Sequence, residues 1–223
     1  MDQTRNTTGQ LTKGLGAKKS FIILLVLIAL HVLPWTIPSH ITHTMIMIFI
    51  FTIMGQGWNV LGGYVGQFSF GHALFFGLGA YTSTMLFLHL GLSPWIGIIF
   101  ACAVSISIGL FIGFLSFRYG LSGPFFALIM LAFAEIFHLI STTWEAVRGS
   151  LGLLIPLEGN APMLMQFSGK IPFYYSSLWL MVAALYLVLR FEKTRTGLYF
   201  LAVREDKDAA EALGVNTFKS QMT

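Results

Sequence analysis

The chain has 223 residues, 56% of them hydrophobic and 10% charged, with a mean hydropathy of +0.77 and a formal net charge of +4. Soluble domains carry about 25% charged residues, so a water-solvated globule is excluded, and the apolar excess runs through the whole chain as a lipid solvent requires. The single cysteine, Cys102, lies in an apolar run, which excludes an intrachain disulfide and reads as a small packing residue.

Backbone polar groups in hydrocarbon must be paired inside the chain, so long apolar runs are helices. Six are predicted, over residues 21–37, 41–61, 67–90, 94–117, 121–141 and 172–190, each close to the ~20 residues that cross a bilayer core. The first follows Lys18 and Lys19, meets Pro34 and Pro38, and has no small-x-small cleavage site after it. It therefore reads as a retained span rather than a signal peptide. The fold expected is an all-α, polytopic membrane protein. A tail over 1–20 precedes about six transmembrane helices over 21–190, and a polar segment with one short helix fills 191–223.

Positive charge sets the orientation. With the tail bearing Arg5, Lys13, Lys18 and Lys19 inside the cell, six crossings place all but Arg148 and Lys170 of the 13 Lys and Arg residues on the inner side. Removing one span would move the cluster Arg190, Lys193, Arg195, Arg204, Lys207 and Lys219 to the wrong side. The connection over 142–171, with Trp144, Gly149, Gly152, Pro156, Gly159, Asn160 and Pro162, is too polar to span and is expected to cover the outer face.

Residues 55–80 read GQGWNVLGGYVGQFSFGHALFFGLGA and hold Gly55, Gly57, Gly62, Gly63, Gly66, Gly71, Gly77 and Gly79. Each glycine weakens a helix by about 1 kcal/mol relative to alanine. Two readings follow: close helix packing, or broken helices whose unwound backbone faces a solute. Gln67, Ser69, Gly71 and His72 are the candidate lining of such a path. His72 fits an interhelical hydrogen bond equally well. Gly109 and Gly113 form a small-xxx-small packing pair.

Glu135 lies in LIMLAFAEIFHLI, and an ionisable group at that depth faces protein or a water-filled cavity. Pairing with His138 one turn away, an interhelical hydrogen bond, and contact with a substrate ammonium all remain open, and Glu135 joins the candidate path. Glu135-x-x-His138 also has di-iron ligand spacing, but a second such pair is missing from the sequence. No metal site and no cofactor are expected.

Residues 201–214, LAVREDKDAAEALG, place Glu205, Asp208 and Glu211 on one helical arc and Ala202, Ala209, Ala210 and Leu213 on the opposite one. Gly214 fits a C′ stop. A helix this short needs a partner surface, which is either the membrane face of the same chain or another protein.

Asp208-Ala209-Ala210-Glu211-Ala212-Leu213-Gly214 resembles the E-A-A-x-x-x-G pattern of ABC importer permeases, with Asp in place of the first Glu. GGYVGQFSFGHALFFGLGAYTS and LSGPFFALIMLAFAEIF resemble two hallmark regions of the branched-chain amino acid permeases of the Liv type, and TGLYFLAVREDKDAAEALGVN is similar to the coupling loop of the M-type subunit. The resemblance implies a permease subunit, not an enzyme. It implies import of branched-chain amino acids driven by ATP-binding cassette subunits, with a second permease subunit and a periplasmic amino-acid-binding protein as partners. The location implied is the bacterial cytoplasmic membrane, with the N-terminus inside, and nucleic acid is not an expected partner. Glu205, Asp208, Ala209, Ala210, Glu211 and Gly214 would then contact the ATPase. Members of the family continue into further membrane helices after this loop, so the resemblance implies truncation at Thr223. An ion-coupled carrier using Glu135, or a permease for urea or short amides, are the alternative functions. The chain carries no G-x-x-x-x-G-K-[ST] phosphate loop, so ATP hydrolysis is expected on another polypeptide.

Overall fold

A computed structural model describes residues 21–121, 123–157 and 159–217. The expected N-terminal tail and Lys219 lie outside the described residues. The described chain is helical, with one isolated antiparallel bridge between Ala161 and Gln166.

The helices are α1 (Phe21–Thr36), α2 (Ser39–Asn59), α3 (His72–Leu90), α4 (Pro94–Arg118), α5 (Pro124–Thr143), α6 (Ile171–Glu192), α7 (Arg195–Glu205) and α8 (Lys207–Ala212). Five of them, α2 to α6, are long and apolar enough to cross a membrane; α1 is apolar but shorter over its described residues. Helix boundaries follow local chemistry. Ser93 caps α4, its Oγ accepting from the Trp95 amide, and Pro94 fills the first helical position, where no N–H is needed. Gly91, at φ +64°, ends α3 in the left-handed conformation that glycine adopts without steric cost.

Two small cores hold the bundle. In one, Ile46 and Phe49 of α2 meet Tyr174 and Leu178 of α6, with Leu30 of α1 against them. Tyr174 and Tyr175 donate their hydroxyls to the carbonyls of Leu30 and His31, which anchors α1 to α6. In the other, Leu74 of α3, Ile112 of α4, and Phe126 and Met130 of α5 interlock. Outside these cores the large side chains point outward; Phe51, Ile99, Ile106, Leu128, Leu139 and Leu187 are examples. In water such a surface would aggregate, whereas acyl chains solvate it without loss.

One end of the bundle gathers the last turns of α2, α4 and α6, the start of α5, and α7. Tyr64 donates to the Glu192 carboxylate there (3.3 Å). The other end is covered by residues 142–171, largely irregular chain broken by short 3₁₀ turns. The Trp95 indole N–H donates to the carbonyl of Pro162 (3.0 Å), and Gln166 donates to that of Pro156 (2.9 Å). These contacts fasten the connection over that end, as its composition led us to expect.

Two expected elements differ. The third span does not begin at Gln67; helix α3 starts at His72, and residues 65–71 are irregular, unwound chain. The helix expected over 201–214 is broken at Asp206, whose backbone is extended (φ −155°, ψ 110°). The physical reason is a cap. The Asp206 carboxylate accepts the Ala209 amide (2.9 Å) and starts a new helix. A wheel drawn through 201–214 therefore assigns arcs across two separate axes.

Candidate functional site: an unwound segment between α2 and α3

Helix α2 does not end cleanly. Over Val60–Tyr64 it widens into a π-turn, in which the Val65 amide donates to the Val60 carbonyl, a device that recurs at functional sites. The chain then runs unwound from 65 to 71, with Val65 still in the helical region, Gly66 at φ +73° and Gly71 at φ −98°. Val65, Gln67, Ser69 and Gly71 face inward and are buried, while Phe68 and Phe70 point outward. That alternation is the period of extended chain, not of a helix.

Unwound backbone at membrane depth is tolerated only where protein or water covers it. Here α5 covers it. A Cβ placed on Gly71 would lie 2.2 Å from the Met130 carbonyl oxygen, so the backbones touch and no other residue fits. Gln67 reaches the other way, its Oε1 accepting the Gly123 amide (3.0 Å) at the start of α5. On the α2 side, the Trp58 indole donates to the Ser69 carbonyl (3.0 Å), and His72 packs so closely on Gly57 that a Cβ there would meet Nε2 at 2.9 Å. The glycines therefore serve both close packing and a break in the helix, in different places. Gly57 permits close packing, and Gly71 belongs to the break.

Among the described residues, two buried side-chain polar atoms lack a hydrogen-bond partner: Ser69 Oγ and His72 Nδ1. Native interiors rarely leave such atoms unpaired. Ser69 lies in this segment and His72, three residues on, opens α3 directly after it. The four candidates Gln67, Ser69, Gly71 and His72 are thus brought together on one stretch of chain. The fifth is not. Ala134 touches the Gly71 position, but the next side chain, Glu135, lies on the exposed side of α5 and, among the described residues, makes neither hydrogen bond nor ion pair. Of the alternatives open for Glu135, the pairing with His138 is not formed.

At the α7 end, the positions singled out for ATPase contact are displayed rather than buried. Glu205, Asp208, Ala209, Glu211 and Gly214 are exposed, and only Ala210 is buried, at 3%. Helix α8 closes with the Gly214 amide on the Glu211 carbonyl (2.9 Å) and the Val215 amide on the Ala210 carbonyl (3.0 Å), with Gly214 at φ +84°. This is the paired closure that the expected glycine stop requires. Thr217 donates to the Glu211 carboxylate and folds the following chain back over α8.

Residues 40–223 match the family described as "Branched-chain amino acid transport system / permease component". The chain belongs to this family. The permease protein LivM of the high-affinity branched-chain amino acid transport system of Salmonella typhimurium is 28% identical over 229 residues, covering 92% of this chain and 53% of that protein. The Escherichia coli protein of the same name is 27% identical with the same coverage. The permease chain thus spans about half the length of the curated relatives it matches. No solved structure matches it.

Sequence reasoning missed the unwound course of 65–71 in this chain. The signal was present: Gln67-Phe68-Ser69-Phe70-Gly71 alternates small or polar residues with phenylalanine, a two-residue period that the apolar average over a whole span conceals.

Proposed function

We propose that the chain is a conducting subunit of an ATP-driven importer of branched-chain amino acids in the bacterial cytoplasmic membrane, with its N-terminal tail and α7–α8 inside the cell. The observation that carries this reading is the unwound segment 65–71 leading into His72, which together hold two unpartnered buried polar atoms, Ser69 Oγ and His72 Nδ1, within a helical bundle of lipid-compatible surface. Unwound backbone between helix ends is how transporters present donors and acceptors to a solute. Ser69 Oγ and His72 Nδ1 offer contacts for polar backbone groups of an amino acid, and Gln67 holds the segment on α5.

Glu135 stands on an exposed face of α5. A carboxylate facing acyl chains costs about 2.5–3.5 kcal/mol or more, so this face turns to an aqueous path or to a partner permease subunit, where the carboxylate meets the substrate ammonium. The exposed surface of α8 receives an ATP-binding cassette subunit, and a periplasmic binding protein delivers substrate at the opposite end. Nucleotide-driven closure of the ATPase moves α8, and the segment 65–71 alternately faces either side.

The test is uptake of labelled leucine into proteoliposomes containing the chain with its ATP-binding and binding-protein partners. Gly214→Arg and Ala209→Arg should each abolish ATP-dependent uptake while hydrolysis continues. Uptake that ignores ATP and collapses with the proton gradient would instead mark an ion-coupled carrier. Unaltered uptake in both variants removes α8 as the docking element.

A further inference from the structure

The exposed helices α7 and α8 join the membrane bundle through a small number of contacts, and one of them stands apart. Arg204, near the end of α7, reaches back across 141 residues of sequence to the π-turn that ends α2. Its Nη1 donates to the Gly63 carbonyl (2.5 Å), while Nε (3.2 Å) and Nη2 (2.5 Å) hold the Glu205 carboxylate. The last carbonyls of a helix lack partners in the next turn and carry partial negative charge. A guanidinium suits them because its fork can engage a carbonyl and a carboxylate at once.

The stem of Arg204 is seated as closely as its head. Gly66 sits at φ +73°, and a Cβ there would meet Arg204 Cγ at 2.5 Å. The next residue is Gln67, whose side chain holds the Gly123 amide at the start of α5. The contacts are therefore contiguous. Asp206 starts α8 directly after Glu205, Arg204 grips Gly63 and lies across Gly66, and Gln67 grips Gly123. A cavity of about 290 Å³ beside them, lined by Gln67, Gly123, Arg204 and Lys207 among others, leaves room for this corner to shift without unpacking the bundle.

We propose that Arg204 is the positioning residue that transmits movement of α7–α8 to the unwound segment, by clamping the Gly63 carbonyl at one end of the run that continues through Gln67 to α5. This rests on the ATP-driven reading above. Coupling between sites is carried by chains of packed side chains and hydrogen bonds, and the clamp combines a charge-assisted hydrogen bond with a steric seat. Loss of the clamp should let α8 move without carrying residues 65–71 with it.

The experiment measures ATP hydrolysis and leucine uptake in the same proteoliposomes, with the chain assembled with its partners. Arg204→Gln should lower uptake per ATP about tenfold, within the roughly 5–150-fold range of coupling between sites, and leave hydrolysis within about twofold of the parent, well short of that range. Gly66→Ala, which pushes on the Arg204 stem from the opposite side, should do the same. The double variant should be no worse than either alone, since both break one contact. Arg204→Lys, which retains charge but not the fork, should recover only part of the loss.

Wild-type uptake per ATP in Arg204→Gln overturns the proposal. So does an equal fall of hydrolysis and uptake, which is the mark of a merely structural arginine. ATP-independent uptake by the unaltered chain would sink the functional reading first, and this inference with it. Hydrogen exchange of the purified chain gives a reading that needs no partner. Amides 60–67 should exchange faster in Arg204→Gln, and unchanged protection there also overturns the proposal.

Discussion

The segment 65–71 and helix α8 are both short and both border glycines, yet they are held in opposite ways. Residues 65–71 carry a two-residue alternation but no cap or stop that fixes their shape. Their shape is imposed by α5 at Gly71 and Gly123, by Trp58 at the Ser69 carbonyl, and by Arg204 at Gly63 and Gly66. Helix α8 is shaped by its own sequence, through the Asp206 cap at one end and the Gly214 closure at the other, and it buries only Ala210 deeply. A segment held by neighbours moves when the neighbours move. A segment that keeps its own shape while exposed can be gripped as a rigid body. The contrast suits a gate in the first case and a handle in the second.

The comparison is broken most severely at Gly71. Gly71→Ala should destabilise the bundle by roughly 3 kcal/mol, because the new methyl meets a backbone carbonyl that has no room to yield. Chemical unfolding in detergent measures it. Gly77→Ala, where a Cβ meets no atom within 4 Å, serves as the contrast and should leave the midpoint unchanged or raised. A comparable loss at both glycines would mean that helix propensity, not the α5 contact, decides the region.

At α8 the expected effects are smaller and local. Gly214→Ala forces a side chain into φ +84°, at about 1–2 kcal/mol. It should accelerate hydrogen exchange at Val215 while the unfolding midpoint of the bundle stays put. Asp206→Ala removes one cap, worth about 1 kcal/mol, and should release the Ala209 amide first. A drop in the global midpoint for either variant would show that α8 is part of the bundle rather than an independent handle.

Ser69→Ala is the mildest change and the sharpest on function. The hydroxyl is buried without a partner, so its removal should leave stability unchanged or raise it by up to about 1 kcal/mol. Uptake should nevertheless fall, since a donor to the solute is lost. Falling stability with unchanged uptake would make Ser69 a packing residue and detach the segment from the path.

Much of this architecture was legible in the chain. Helices α2 to α6 fall within a few residues of the apolar runs because hydrocarbon leaves backbone no alternative to internal pairing. Ser93-Pro94 and Gly91 mark their own boundaries, and Gly214 marks the end of α8. The start of α3 was misplaced by five residues. An average over 67–90 is apolar enough to span, and contacts with α2, α5 and Arg204 hold residues 65–71 unwound. The break at Asp206 was readable as a capping residue, but the helical wheel passed through it.

By itself the sequence determined that the chain suits lipid, where its five long apolar helices lie, though it counted the shorter α1 as a sixth span, and the motifs that tie it to its family, because these depend on composition and on short-range rules. Only the tertiary structure decided that three of the five candidate path residues share one unwound strip that leads into the fourth, His72, that Glu135 lies on an exposed face instead, and that Arg204 joins α7 to the end of α2. Those outcomes depend on which surfaces meet across 50 to 140 residues of chain, as between Gln67 and Gly123 or Gly63 and Arg204. Local propensity carries no information about such meetings.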